Sequence, residues 1–132
     1  MTKRPEEISI AEQWLRFAQG DLSTARVIAN FLELPPRNAC YLAQQSAEKA
    51  LKATLIYLGI ELIKTHDLDA LVQRMPEELI KTFSNIDLSW LSEWCVEARY
   101  PGDWVEASQA DATKAVALAE RVLNNADSIL YK

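Results

Sequence analysis

Apolar residues recur along this chain at helical spacing and show no strand-like alternation of any length. In the first segment Ile10, Trp14, Phe17, Ala18, Ala25, Ile28 and Leu32 follow the three-to-four-residue period of one helix face. Ser9 and Glu12 are spaced as a capping box, so a helix is predicted from Ser9 to about Leu34, where Pro35-Pro36 stops it. A second helix is predicted from about Arg37 to Leu58, with Gly59 as its left-handed C′ residue. Thr65 is placed to cap a helix beginning at His66-Asp67, with Leu68, Leu71 and Val72 inward. Pro76 suits the first turn of another short helix, with Glu77 and Glu78 favourable at its N-terminus. Asp87 or Ser89 opens a medium helix that ends before Pro101-Gly102. Ser108, with Asp111 three residues on, opens the last long helix, whose inner face is Ala112, Val116, Ala119, Leu123, Ala126 and Leu130. Short connections make neighbouring helices antiparallel. The predicted fold is therefore all-α: an antiparallel up-down four-helix bundle, with a short helical insert between the second and third long helices. Residues 1–132 are read as one domain.

The second helix departs from a plain amphipathic pattern. At about 100° per residue, Cys40, Ala43, Ala47, Leu51, Thr54 and Leu58 form its core arc, and Gln44 falls inside that arc. Tyr41, Gln45, Glu48 and Lys52 run as a second stripe along the edge. A buried amide needs hydrogen-bond partners. The stripe is either a solvated flank with a Glu48–Lys52 surface pair, or the polar wall of a cleft or interface.

The segment Asp87–Trp104 is the second departure. Leu88, Leu91, Cys95 and Ala98 share a face, which Trp90 and Trp94 widen beyond one bundle contact. The two rings either cap a small core or meet a second subunit, where tryptophan is enriched. Arg99 falls near the core-side edge, just before Tyr100-Pro101 breaks the helix. It is placed either to bind an anion bidentately or to pair with an acid such as Glu48 or Asp103.

Composition narrows the function classes. Three glycines in 132 residues favour helix over sheet, and 49% hydrophobic with 25% charged residues is ordinary for a globular domain. A net charge of −5 gives no basic footprint for general duplex nucleic-acid binding. The opening MTKRPEEIS lacks the apolar core of a signal peptide, and the longest apolar run, near Leu55–Ile60, is too short to span a bilayer. Cys40 and Cys95 have no metal-ligand partner at short spacing and are expected as reduced, packed thiols, in a cytoplasmic setting. His66, the single histidine, lacks a neighbouring His or Cys, so no metal site and no cofactor are expected. No nucleophile motif and no glycine-rich phosphate loop are present.

Three blocks, Gln44–Ala53 (QQSAEKALKA), Thr65–Leu68 (THDL) and Arg99–Pro101 (RYP), with the opening Trp14…Asp21-Leu22…Ala25, together resemble the HEPN domain. The name denotes a nucleotide-binding domain of higher eukaryotes and prokaryotes. The resemblance covers about residues 9–130. It implies a helical bundle that commonly forms homodimers. It also implies a partner, a minimal nucleotidyltransferase, in toxin–antitoxin-like pairs, and a nucleotide as candidate ligand. Gln44, Gln45, Glu48, Lys52, His66, Arg99 and Tyr100 are the candidate ligand-binding residues, and Trp90 and Trp94 the candidate interface. Other HEPN proteins are metal-independent RNases with a His four to six residues after an Arg. Here Tyr100, Pro101, Gly102, Asp103, Trp104, Val105 and Glu106 follow Arg99 without one, which argues against that activity. An RNase with an altered active site and a purely structural dimeric adaptor stand as the alternatives.

Overall fold

Three periodic apolar runs form three long helices, and shorter helical pieces fill the fourth side. The structure, a computed structural model, describes residues 5–131, and all regular structure among them is helical. In chain order the helices are α1 (Pro5–Ala29), α2 (Pro36–Tyr57), α3 (Leu68–Val72), α4 (Glu77–Phe83), α5 (Leu88–Ser92) and α6 (Gln109–Leu130). The predicted all-helical bundle is thus the observed class. No helix among the described residues is long and apolar enough to cross a membrane.

The long helices run up and down. Ser46 of α2 bonds the Ala18 carbonyl of α1 at 2.7 Å, while Lys52, later in α2, lies over the ring of Trp14, earlier in α1. Gln109, at the start of α6, bonds Ala29 at the end of α1, and Tyr131 past its end bonds Glu12 at 3.1 Å. So α1 is antiparallel to both α2 and α6, and the intervening segment must carry the chain back to the end where α1 stops and α2 begins. α1 buries Ala11, Ala18 and Ala25, and α2, packed against it, buries Ala39, Ala43, Ala47 and Ala50. Small side chains let the two backbones close up, and Leu15, Leu22, Leu51 and Leu55 fill what remains.

Helix ends follow local chemistry, with corrections to the expected boundaries. The Ser9–Glu12 capping box is not used, because α1 already begins at Pro5. It ends at Ala29 and not near Leu34: the Asn30 side chain takes the Arg26 carbonyl at 2.8 Å, and Phe31 and Leu32 beyond it are exposed, with no core to bury in. The end of α2 matches its sequence signal. Gly59 has φ 73°, its N–H bonds the Ile56 carbonyl at 3.0 Å, and that of Ile60 bonds Leu55 at 2.9 Å, the paired bonds of a Schellman motif. The Ser108–Asp111 capping box forms in both directions at the start of α6.

The segment expected as one medium helix up to Pro101 is instead the five-residue α5, followed by 3₁₀ turns at Val96–Ala98 and Pro101–Asp103. Asp87 caps α5 by accepting from the Trp90 N–H at 3.1 Å. The Ala98 side chain, expected on the face of Leu88 and Leu91, lies outside what is described. Thr65 does not cap α3. Asp67 does, accepting from the N–H groups of Asp69 and Ala70, while the Thr65 hydroxyl accepts from the Asp67 N–H at 3.0 Å. His66 is thereby left on irregular chain ahead of the helix. Pro76 is the residue before α4, with Glu77 and Glu78 in its first turn as expected.

Candidate functional site

Gln44 and Glu48 are buried, 0% and 5% exposed, which removes the solvated-flank reading of the α2 stripe. The Glu48 carboxylate is fully occupied. Its Oε2 accepts from Lys52 Nζ at 2.9 Å, and its Oε1 accepts from Gln44 Nε2 at 3.1 Å and meets His66 Nδ1 at 2.9 Å. Burial alone would raise its pKa, but hydrogen bonds from Lys52, His66 and Gln44 outweigh it and hold the carboxyl below its ordinary range. Gln44 Nε2 also reaches the His66 carbonyl at 3.2 Å, and Gln45 Nε2 donates to Gln44 Oε1 at 2.7 Å. The stripe therefore has its partners, and they fasten the irregular segment before α3 onto α2.

On its other side His66 Nε2 lies 3.7 Å from Glu97 Oε2, and Glu97 also accepts the Tyr41 hydroxyl. Burial first, then Glu97, pushes the Tyr41 phenol well above its usual pKa. The Ser92 hydroxyl accepts from the Leu68 N–H at 2.9 Å, tying the start of α3 to the end of α5. Those ties bring Cys95 to the cluster: ligand atoms of Glu48, His66 and Cys95 lie within 4.8 Å of one another. Cys40, the other buried thiol, is outside that cluster, with its pKa pushed up to about 12 by burial and by Asp111.

Arg99 pairs with neither Glu48 nor Asp103, the two acids that the sequence offered it. Among the described residues its guanidinium makes no ion pair, and only its backbone is engaged, with the carbonyl accepting from Trp104 Nε1 at 3.3 Å. The side chain borders two depressions. One is an open groove of about 370 Å³ that it shares with His66, Thr65, Ser92 and Cys95. The other, of about 230 Å³, it shares with Trp90, Trp94, Glu93 and Glu106. Trp94 Nε1 is a buried donor with no acceptor among the described residues.

The remaining candidates separate. Tyr100 stands in solvent, 82% exposed. Trp90 and Trp94 meet edge to face, centroids 5.7 Å apart at 74°, and Lys114 Nζ lies 4.1 Å over Trp90. Trp94 is buried by its own chain, so of the two rings only the half-buried Trp90 is left for a second subunit. The sequence offers Cys95 only as a packed thiol and does not single out Glu97. They lie well along the chain from Glu48 and His66, and no spacing rule joins them.

A family model described as HEPN domain matches residues 11–129. Among solved structures, ST0689, an archaeal HEPN homologue, is 27% identical, covering 98% of this chain and 99% of that one, with a TM-score of 0.70. TT1696 from Thermus thermophilus is 24% identical over 90% of this chain and 97% of that one, with a TM-score of 0.71, a likeness of fold. No curated protein matches the chain.

Proposed function

The chain belongs to the HEPN domain family, and on that premise we propose that it is a nucleotide-binding module that works with a minimal nucleotidyltransferase, as in a toxin–antitoxin pair. The observation that carries the ligand part is the Arg99 guanidinium, which makes no ion pair among the described residues and borders one depression with Trp90 and Trp94. It calls for an acceptor, and arginine's planar fork suits a phosphate. Glu93, Glu106 and Asp111, which line the same depression, are acceptors in turn and suit ribose hydroxyls. A nucleotide offers both complements in one molecule. The reading places the protein in the cytoplasm, where Cys40 and Cys95 stay thiols.

ATP is expected to raise the melting temperature of the wild type. Arg99→Ala is expected to abolish that rise while costing under about 1 kcal/mol of stability, as for a solvated charge. Melting curves of both proteins with and without ATP check it. No rise in wild type, together with a loss of roughly 3 kcal/mol or more in the variant, would make Arg99 a structural residue. Co-expression with a nucleotidyltransferase encoded beside the chain tests the partner.

One observation favours a second reading. His66 and Arg99, far apart in sequence, border the same groove, and Glu48 orients the imidazole. That pairing would suit a metal-independent RNase. The expected result is intact RNA after incubation in chelator, since His66 is held between two carboxylates, Glu48 and Glu97. Cleavage that disappears in Arg99→Ala would replace the binding-only reading.

The module is also proposed to be a homodimer. Ile10, Phe17 and Val27 stand exposed on α1, and Trp90 is half-buried. Light scattering at micromolar concentration should give twice the chain mass. A monomer would leave these side chains without a subunit contact.

A further inference from the structure

We propose that Glu48, His66 and Cys95 form a binding site for a zinc-class divalent ion at the inner wall of the Arg99 groove. Carboxylate oxygen, imidazole nitrogen and thiolate sulfur are the three donor types that zinc takes, and three protein ligands with one open position is its usual non-structural arrangement. Here the three donor atoms lie within 4.8 Å of one another, so one ion can touch all of them after small side-chain movements. They come from α2, from the chain before α3 and from the turn after α5, three separate points of one packed scaffold.

The surroundings fit ligation. Glu48 Oε2 is held by Lys52, so the carboxylate would ligate through Oε1 alone, the atom that already faces His66 Nδ1 at 2.9 Å. With the ion on Nδ1, the imidazole proton moves to Nε2, which lies 3.7 Å from Glu97 Oε2. A small side-chain movement that closes this gap would make the carboxylate–histidine–metal contact that fixes the tautomer of a ligating imidazole. Cys95 loses its thiol proton to solvent as the metal–sulfur bond forms, so one proton leaves for each ion bound to a neutral imidazole. His66 and Cys95 both border the open groove of about 370 Å³, which gives the ion an entry path and leaves its fourth position to water. Thiolate and imidazole together select zinc or cobalt over magnesium or calcium.

The test is titration of the untagged full chain with Co²⁺ under reducing conditions. One equivalent should produce a thiolate-to-cobalt charge-transfer band and the intense visible bands of four-coordinate cobalt, and zinc should displace them. Cys95→Ser should remove the charge-transfer band. His66→Ala, at a residue more tolerant of change, should weaken cobalt binding at least about tenfold. Cys40→Ala should keep the band. A wild type without the band, or a band that survives Cys95→Ser, overturns the proposal, as does one lost in Cys40→Ala but kept in Cys95→Ser. The site stands apart from the nucleotide reading: Arg99→Ala should leave the cobalt spectrum unchanged, whatever it does to ATP.

Discussion

Replacing Glu48 by alanine is expected to destabilise the protein by about 3–5 kcal/mol, the usual result of removing one partner from a buried, hydrogen-bonded charge cluster. The substitution leaves Lys52 Nζ, a side chain only 17% exposed, with no carboxylate, and strips His66 Nδ1 and Gln44 Nε2 of their shared acceptor. The Trp14 ring, 5.7 Å from the ammonium, offers only partial compensation. The melting temperature should fall by about 10 °C or more. A loss under about 1 kcal/mol would mean that water replaces the carboxylate without penalty.

The same residue sets an acid limit. The folded pKa of Glu48 is lowered below its ordinary 4.5. Its contribution is therefore complete above 4.5, the ordinary value, and is lost as pH falls through the folded value. Wild-type melting temperature should drop across that acidic window. Glu48→Gln, which keeps the size and one acceptor, should give a flatter profile. Parallel profiles would place the acid sensitivity elsewhere.

Phe83→Ala is expected to cost about 3–5 kcal/mol, within a single cooperative transition. Phe83, 1% exposed, is among the largest fully buried side chains, yet it belongs to the seven-residue α4, too short to be stable alone. It holds the short-helix segment on the long helices. Around it Asn125 bonds the Thr82 carbonyl at 2.9 Å and Arg121 the Asn85 carbonyl at 3.2 Å, both from α6. The segment from α3 to α5 is flanked by His66 on one side and by Cys95 and Arg99 on the other. Loosening α4 should therefore weaken ATP and Co²⁺ responses together. Calorimetry of the variant would reveal a separate low-temperature transition if the segment melts on its own, and that result would contradict its integration into the bundle.

Local chemistry made much of the fold legible. Gly59 and the Ser108–Asp111 pair signalled helix ends because their own side chains, or lack of one, meet the orphan groups there. Gln44 inside an apolar arc pointed to a polar network, because an amide cannot be buried unpaired. The failures have equally local causes. Ser9 and Glu12 form a valid capping box, but continuing α1 back to Pro5 won. Residues 88–99 carry apolar residues at helical spacing, yet the chain turns out of α5 after Ser92. At that point α5 meets a distant part of the chain: the Ser92 hydroxyl accepts from the Leu68 N–H.

The sequence by itself determined the helical class, the three long helices, the presence of a polar stripe on α2 and the family, since each depends on residues within a few positions of one another or on blocks in fixed order. Only the tertiary structure decided that Gln44 and Glu48 of the stripe are buried, and what they meet. The sequence left Glu48 as one of several partners open to Arg99; the fold gives Glu48 His66, sets Cys95 beside both, and leaves Arg99 facing a groove without an ion pair among the described residues. Those contacts join α2, the chain before α3 and the turn after α5. Their distances follow from how three long helices and a broken fourth limb pack, which no periodicity along one element encodes.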